Sequence, residues 1–176
     1  MSEVNNKKLK NLLEQWSSGI VATSSWMKSL NISHQLVQRY LKSGWIEQIG
    51  HGAYKKNKDV VKWYGALASL QKQLSLSIHL GAATALTFQG IAHYFRFEKE
   101  RIFLFSNLSQ KLPKWFLNYD WENSIKHVKT SFLPENLAIK AINCNGIEVK
   151  MSLRERAILE CLYLSPTDFD LLECYQ

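Results

Sequence analysis

Residues 33–56, SHQLVQRYLKSGWIEQIGHGAYKK, constrain the fold more than any other part of this chain. Ser33 is a residue type that caps helices, and Gly44 is a typical helix stop. Between them, apolar residues recur at the spacing of one buried helix face, namely Leu36, Val37, Tyr40 and Leu41. WIEQI then alternates as a strand, the glycines of Gly50-His51-Gly52 can supply the positive φ angles of a tight turn, and AYKK returns as a second strand. The stretch therefore predicts a helix followed by a β-hairpin.

Two more helices are predicted before this unit. The first has an apolar face at helical spacing, formed by Leu9, Leu12, Leu13 and Trp16, and it ends at residues 17–19. Thr23 can cap the second helix, SSWMKSL, whose Trp26, Met27 and Leu30 face inward. About three residues separate the second and third helices. This order is typical of a helix-turn-helix with the hairpin as its wing, and we assign it to residues 1–75.

The outer face of the third helix is polar or basic and carries no acid, and lysines follow the hairpin turn. We expect this helix to lie in the major groove of double-stranded DNA and the hairpin to lie on the neighbouring backbone. The alternative is an ordinary solvated face. The candidate DNA-binding residues are Ser33, His34, Gln35, Gln38, Arg39, Lys42, His51, Lys55, Lys56 and Lys58.

The positive charge is concentrated in the first part of the chain. The net charge of the whole chain is +7; residues 1–80 carry 11 Lys+Arg against 4 Asp+Glu, whereas residues 81–176 carry 11 against 11. A patch that meets phosphates must attract them from a distance, which a folding or protein-binding domain need not do. The split therefore indicates a basic binding module followed by a neutral one.

Residues 76–176 predict a mixed α+β domain. Ahead of this domain, after the wing, a helix is expected to begin at Asp59. Within the domain, GAATALTFQGIAHYF predicts a helix, RIFLFSN and SIKHVKTSFL predict strands, and QKLPKWFLNY predicts a turn that leads to a short helix. Asn145-Gly146 predicts a hairpin between LAIKAI and IEVKMS. Ser152 with Glu155 predicts a capping box at the start of SLRERAILECLY. The last residues, SPTDFDLLECYQ, begin one further helix, so we expect a chain that is cut short at its C-terminus.

No catalytic, metal or cofactor site is predicted. Cys144, Cys161 and Cys174 form no CxxC pair, so we expect reduced and buried thiols, and the five histidines lack metal-ligand spacing. GAATALTFQG lacks the glycine spacing of a phosphate-binding loop and is better explained by tight helix packing. Asp168 and Asp170 are spaced like metal-binding carboxylates, but no Gly-Ser loop precedes them, so we assign Thr167 and Asp168 to a helix cap and its first turn.

The large aromatic residues and the absence of long apolar runs complete this interpretation. We expect core positions for Trp16, Trp26, Trp45, Trp115 and Trp121. No run approaches the roughly 18 to 20 apolar residues that span a bilayer, and the N-terminus does not have the apolar stretch of a signal peptide. The sequence therefore predicts a cytoplasmic protein without a membrane partner.

Four motifs, in the same order along the chain, resemble the AbiEi antitoxins of bacterial type IV toxin–antitoxin systems. They are VATSSWMKSLNISHQLVQRYLKSGWIEQIGHGAYKK, GAATALTFQGIAHY, KLPKWF and GIEVKMSLRERAILECL. The resemblance implies a first domain that binds and represses its own promoter, with inverted repeats in the DNA and a homodimer on it. It also implies a second domain that counteracts a nucleotidyltransferase toxin encoded beside it, without requiring direct contact. Members usually continue beyond the length of this chain.

Two other functions compete with this one. A plain winged-helix regulator would use its second domain to sense a ligand or a partner. A nucleotidyltransferase-like enzyme is disfavoured because the Gly-Ser loop is missing. A neighbouring nucleotidyltransferase gene would support the antitoxin over the plain regulator.

Overall fold

The computed structural model describes residues 3–91 and 101–168, and it confirms the α+β class. Two compact units make up the chain. The first comprises Met1–Ser75 together with Leu112–Asp120, and the second comprises Leu76–Lys111 together with Trp121–Gln176. A short segment from the second half of the sequence therefore belongs to the first unit.

Three helices form the centre of the first unit: α1 (Glu3–Gln15), α2 (Ser24–Ser29) and α3 (His34–Lys42). The two predicted caps are present, since the backbone N–H of Trp26 donates to Thr23 Oγ1 at 3.2 Å and that of Leu36 donates to Ser33 Oγ at 3.3 Å. The predicted apolar faces meet in one core, which contains Leu9, Leu12, Trp16, Met27, Leu36, Val37 and Tyr40. Packing of these faces fixes which side of α3 is exposed.

A three-stranded antiparallel sheet lies beside the helices, with the order β1-β3-β2. Its strands are β1 (Ala22–Thr23), β2 (Ile46–Gly50) and β3 (Ala53–Lys56), and the register shifts between Gln48 and Gly50. The hairpin of β2 and β3 is the predicted wing. The sequence interpretation missed β1, because two residues are too short a run to show strand alternation.

The next helix, α4 (Trp63–Lys72), does not begin at Asp59 as predicted. Asp59 Oδ2 instead accepts the backbone N–H of Gly19 at 2.8 Å, which is a bond to a residue forty positions away. The helix starts after Lys62 without a side-chain cap. Ser69 Oγ on α4 donates to Val21 O at 2.7 Å and so ties this helix to the chain next to β1.

The second unit contains a five-stranded mixed sheet with the order β6-β5-β4-β8-β7. The strands are β4 (Ile78–Leu80), β5 (Arg101–Ser106), β6 (Ser124–Lys129), β7 (Ile139–Cys144) and β8 (Ile147–Ser152). Helices α5 (Ala82–Phe88) and α7 (Arg154–Leu164) pack against each other and against the sheet, and α6 (Lys114–Asn118) lies in the segment assigned to the first unit. The hairpin at Asn145-Gly146 is confirmed, and both residues have positive φ.

The capping box predicted at Ser152 is wrong. Ser152 is the last residue of β8 and is fully buried, and its hydroxyl donates to Glu160 Oε2 at 2.9 Å instead of capping α7. The same carboxylate also binds His79 Nε2, Arg156 Nε and the N–H of Ala82. A buried carboxylate needs such partners, so the serine hydroxyl is used in this network.

The assignment of Trp45 to the core is also wrong, because 47% of this residue is exposed. Gly44 follows the end of α3 with a φ of +69°, and the backbone N–H of Trp45 then donates to Tyr40 O at 3.0 Å. Ile46, the next residue, occupies the buried position at the start of β2. Trp16, Trp115 and Trp121 are buried as predicted, and Trp26 is half-buried.

Both cysteines in the described ranges, Cys144 and Cys161, are buried, and burial raises the pKa of Cys144 to about 11. Cys174, Asp170 and the final predicted helix lie outside the described residues, as does the end of GAATALTFQGIAHYF. Asp168 is described, and its carboxylate binds Arg101 and Lys126.

Candidate nucleic-acid interface

Helix α3 is held by its buried face and leaves its opposite face in solvent. Leu36, Val37 and Tyr40 are each 5% exposed or less, so the rotation of the helix about its axis is fixed. The side chains that the sequence predicts as DNA contacts are all exposed on this helix: His34, Gln35, Gln38, Arg39 and Lys42. Gln35, Gln38, Arg39 and Lys42 follow the i, i+3, i+4, i+7 spacing of a single stripe. Ser33, also a predicted contact, is exposed as well, and its hydroxyl caps the helix.

This stripe combines amide and guanidinium groups, which are the side chains best suited to base edges. Gln can form a bidentate hydrogen-bond pair with adenine, and Arg can form one with guanine. Arg39 and Lys42 also lie in the last turn of α3, where the helix dipole favours cations. The exposed face of α3 can therefore combine specific contacts with charge attraction to phosphates.

Glu47 is an acidic residue in the wing, and its carboxylate is paired within the hairpin. Its carboxylate accepts the backbone N–H of Lys58 at 3.1 Å and forms an ion pair with Lys55 at 3.1 Å. These hydrogen bonds lower the pKa of Glu47, the backbone bond contributing most. Glu47 is thus held by its own hairpin, which reduces its repulsion of phosphate.

The three wing lysines have different environments. Lys55 is paired with Glu47 and also donates to Asp59 O at 3.2 Å, and Lys56 Nζ donates to Leu13 O at 3.2 Å. Both are half-buried, whereas Lys58 is exposed and has a φ of +60° that places it in a turn after β3. Of the three wing lysines, Lys58 is therefore the one whose ammonium group has no partner within the described residues.

The wing turn uses its two glycines differently from the prediction. Gly52 has a φ of +75°, as expected of a tight turn, but Gly50 does not have a positive φ. Gly50 is needed for space, because a Cβ atom placed on it would lie 2.6 Å from Cβ of Trp115. His51, between them, is exposed at the tip of the wing. Sequence spacing gives no sign that Trp115 approaches Gly50, because the two are 65 positions apart.

The second unit contains a cleft of about 280 Å³ at the ends of β5 and β6. Several polar side chains of its lining already have partners: Ser106 Oγ lies 2.8 Å from His127 Nε2, and Asn107 donates to Glu135 at 3.2 Å. Arg156, which also lines the cleft, donates to Glu160 and to the carbonyls of Pro134 and Leu137. Within residues 3–91 and 101–168, no group of three or more His, Cys, Asp or Glu side chains is arranged to hold a metal ion. In the same ranges, no helix is both long and apolar enough to cross a membrane.

The sequence matches known families along almost its whole length. Residues 5–97 match the family described as "Transcriptional regulator, AbiEi antitoxin N-terminal domain". Residues 99–176 match "Transcriptional regulator, AbiEi antitoxin, Type IV TA system". No curated protein matches the chain significantly.

One solved structure to which the chain is similar is the crystal structure of the RV2827C protein from Mycobacterium tuberculosis, with 15% sequence identity and a TM-score of 0.46. The alignment covers 74% of this chain and 47% of that one, so this chain spans about half the length of that protein.

Proposed function

The chain belongs to the AbiEi family of antitoxin transcriptional regulators of type IV toxin–antitoxin systems, and on that premise we propose that it represses its own promoter by binding DNA through the exposed face of α3. The observation that supports this proposal best is the stripe Gln35, Gln38, Arg39 and Lys42, which is exposed and contains no acid. Base edges would be read by Gln38 and Arg39, and the wing would lie on the backbone.

The proposed operator contains inverted repeats. Two copies of the chain would then bind with their recognition helices about one helical turn, or a multiple of it, apart. A homodimer would form on the DNA.

The antitoxin role is the second part of the proposal. We assign it to the second unit, which would counteract a nucleotidyltransferase toxin encoded by a neighbouring gene without a requirement for direct contact. The neutral charge of residues 81–176, 11 Lys+Arg against 11 Asp+Glu, fits a module that does not itself bind nucleic acid.

Repression is tested by recovering the DNA bound to the full chain in cells and sequencing it, and then by fusing the recovered promoter to a reporter gene. The wild type should repress the reporter, and Arg39→Ala should relieve repression at the same protein level. Enrichment of no DNA above background, or equal repression by both proteins, would contradict the proposal.

The antitoxin role is tested by co-expression with the neighbouring nucleotidyltransferase gene from an unrelated promoter. Growth should be restored by the wild type and also by Arg39→Ala, because DNA recognition is not needed when the promoter is foreign. Persistent growth arrest with well-expressed wild-type protein would remove the antitoxin assignment.

The cleft in the second unit favours a second candidate function, a winged-helix regulator that responds to a small molecule. Its volume of about 280 Å³ is close to the lower end of the roughly 300 to 1,000 Å³ of small-molecule sites. In that case, a metabolite extract freed of macromolecules should change the DNA affinity of the wild type. If the extract does not alter DNA binding and the chain rescues cells from the toxin, the ligand-responsive regulator is ruled out and the antitoxin proposal is retained.

A further inference from the structure

The wing is incomplete within residues 1–75, because one side of its tip rests on a segment from the second half of the sequence. Residues 112–120 lie between β5 and β6 in the sequence, yet they belong to the first unit, where α6 packs against β2. Within that segment, Trp115 is 6% exposed. The hairpin that is expected to meet DNA is therefore supported by residues 112–120, a segment whose neighbours in the sequence on both sides belong to the second unit.

The contact between Trp115 and the wing is unusually close. A Cβ atom on Gly50 would lie 2.6 Å from Cβ of Trp115 and 3.1 Å from its Cα. Real Cβ atoms do not approach one another to 2.6 Å, so only glycine fits here without movement of the backbone. Gly50 is the last residue of β2 and stands directly before His51 at the wing tip.

The strand that carries Gly50 has few other supports. In the sheet order β1-β3-β2, strand β3 is paired on both sides, whereas β2 is an edge strand. The register shift between Gln48 and Gly50 interrupts the pairing of β2 just before the turn. On the other side of the turn, the backbone N–H of Ser24 donates to Gly52 O at 2.9 Å. His51 is thus held between two anchors, Ser24 on one side and Trp115 on the other.

We propose that Trp115 is a positioning residue for DNA binding, which holds the wing tip so that His51 and the turn around it meet the phosphate backbone. The inference rests on the proposed DNA-binding function. Without Trp115 the recognition helix would keep its place, because the core under α3 does not include Trp115. Gly50 meets Cα and Cβ of Trp115, and the buried indole holds these atoms in place on α6. Without the indole, α6 would shift, the wing tip would lose one of its two anchors, and its contacts with the phosphate backbone would weaken.

The test compares full-length variants on the operator duplex by hydroxyl-radical footprinting and by the slope of log K against log[salt]. Trp115→Ala should lose protection at the positions covered by the wing, keep protection at those covered by α3, and lower the slope by about one unit for each phosphate contact that is lost. Gly50→Ala should have the same effect from the other side of the contact. Trp115→Phe, which keeps a large apolar side chain to anchor α6, should behave more like the wild type.

A structural control separates positioning from general destabilisation. Leu12→Ala removes a core side chain that is 1% exposed in the same unit, so it should lower the melting temperature and leave both the slope and the footprint of the folded protein unchanged. If Trp115→Ala and Gly50→Ala keep the wild-type slope and footprint, the positioning role is refuted. If the wild type itself protects no DNA, the proposed function has failed, which is a distinguishable result.

Discussion

Arg39 and Gln38 are exposed neighbours on α3, and the buried face of the helix holds the fold without them. If their side chains reach base edges, Arg39→Ala and Gln38→Ala should each weaken operator binding by about 1 to 3 kcal/mol, with an unchanged melting temperature. Gln15→Ala is a matched control, since it removes an exposed glutamine from α1. Gel-shift titrations in which both α3 variants bind like the control would show that α3 does not read the DNA.

Lys58 and Lys55 are close in sequence but differ in their contacts. Lys58 is exposed, so Lys58→Ala should lower the salt slope of binding by about one unit on operator and scrambled duplexes alike. Lys55 is paired with Glu47, so Lys55→Ala should change the slope less. Lys140→Ala, at an exposed lysine on β7, serves as a control for net charge. Equal slopes for Lys58→Ala and Lys140→Ala would place Lys58 away from the DNA.

At the scale of the element, α7 is bound to the sheet of the second unit by Glu160. This carboxylate is fully buried; burial raises its pKa, but hydrogen bonds led by that of His79 outweigh this effect, so the pKa is lowered. Glu160→Ala would leave Arg156 as an unpaired buried charge, and we expect a loss of about 3 to 5 kcal/mol in the free energy of unfolding.

Urea denaturation measures this loss, and Glu155→Ala in the exposed first turn of the same helix is the matched control. Glu155 is exposed in the first turn, where a carboxylate gains from the helix dipole, so its removal should cost no more than about 1 kcal/mol. Similar midpoints for the two variants would mean that the buried network does not stabilise α7.

Strand β6 carries a histidine that makes stability depend on pH. Burial, aided by the charge of Lys129, lowers the pKa of His127 to about 4. The unfolded chain, with a histidine pKa near 6.5, binds a proton that the native state does not bind between these two values, so stability falls as the pH drops through this window. Thermal melts of His127→Gln should lose part of this fall, and those of the control His51→Gln should keep it. An unaltered pH dependence in His127→Gln would disprove this assignment.

Local signals in the sequence predicted the elements well, and the errors lie where a distant partner competes. Thr23 and Ser33 cap helices as predicted because the groups they bind are three residues away. Asp59 and Ser152 also belong to capping residue types, but Gly19 and Glu160 bind them instead. A sequence pattern contains information about bonds between residues a few positions apart, but not about bonds to residues that are distant in the sequence.

At the scale of the whole molecule, the sequence was enough to predict the DNA-binding face of α3, but it did not predict the contacts that hold the wing beside it. The exposed stripe of α3 follows from helical spacing alone. The contact of the wing with Trp115 brings together positions 50 and 115. In the five-stranded sheet, β4 pairs with β8, which lies far along the sequence of the second unit. Both features depend on tertiary packing, for which a single sequence gives no periodic signal.

Recognition of a particular DNA sequence by the exposed face of α3 is the expectation on which the proposed function depends. It is tested most directly by the ratio of the dissociation constants of the full chain for its promoter duplex and for a scrambled duplex of equal length, measured by fluorescence anisotropy at one physiological salt concentration. The promoter should bind at least about 10³-fold more tightly, and Arg39→Ala with Gln38→Ala should reduce that ratio at least tenfold while binding to the scrambled duplex changes little. Equal affinity for the two duplexes, or a high ratio that the double variant leaves intact, would contradict the account.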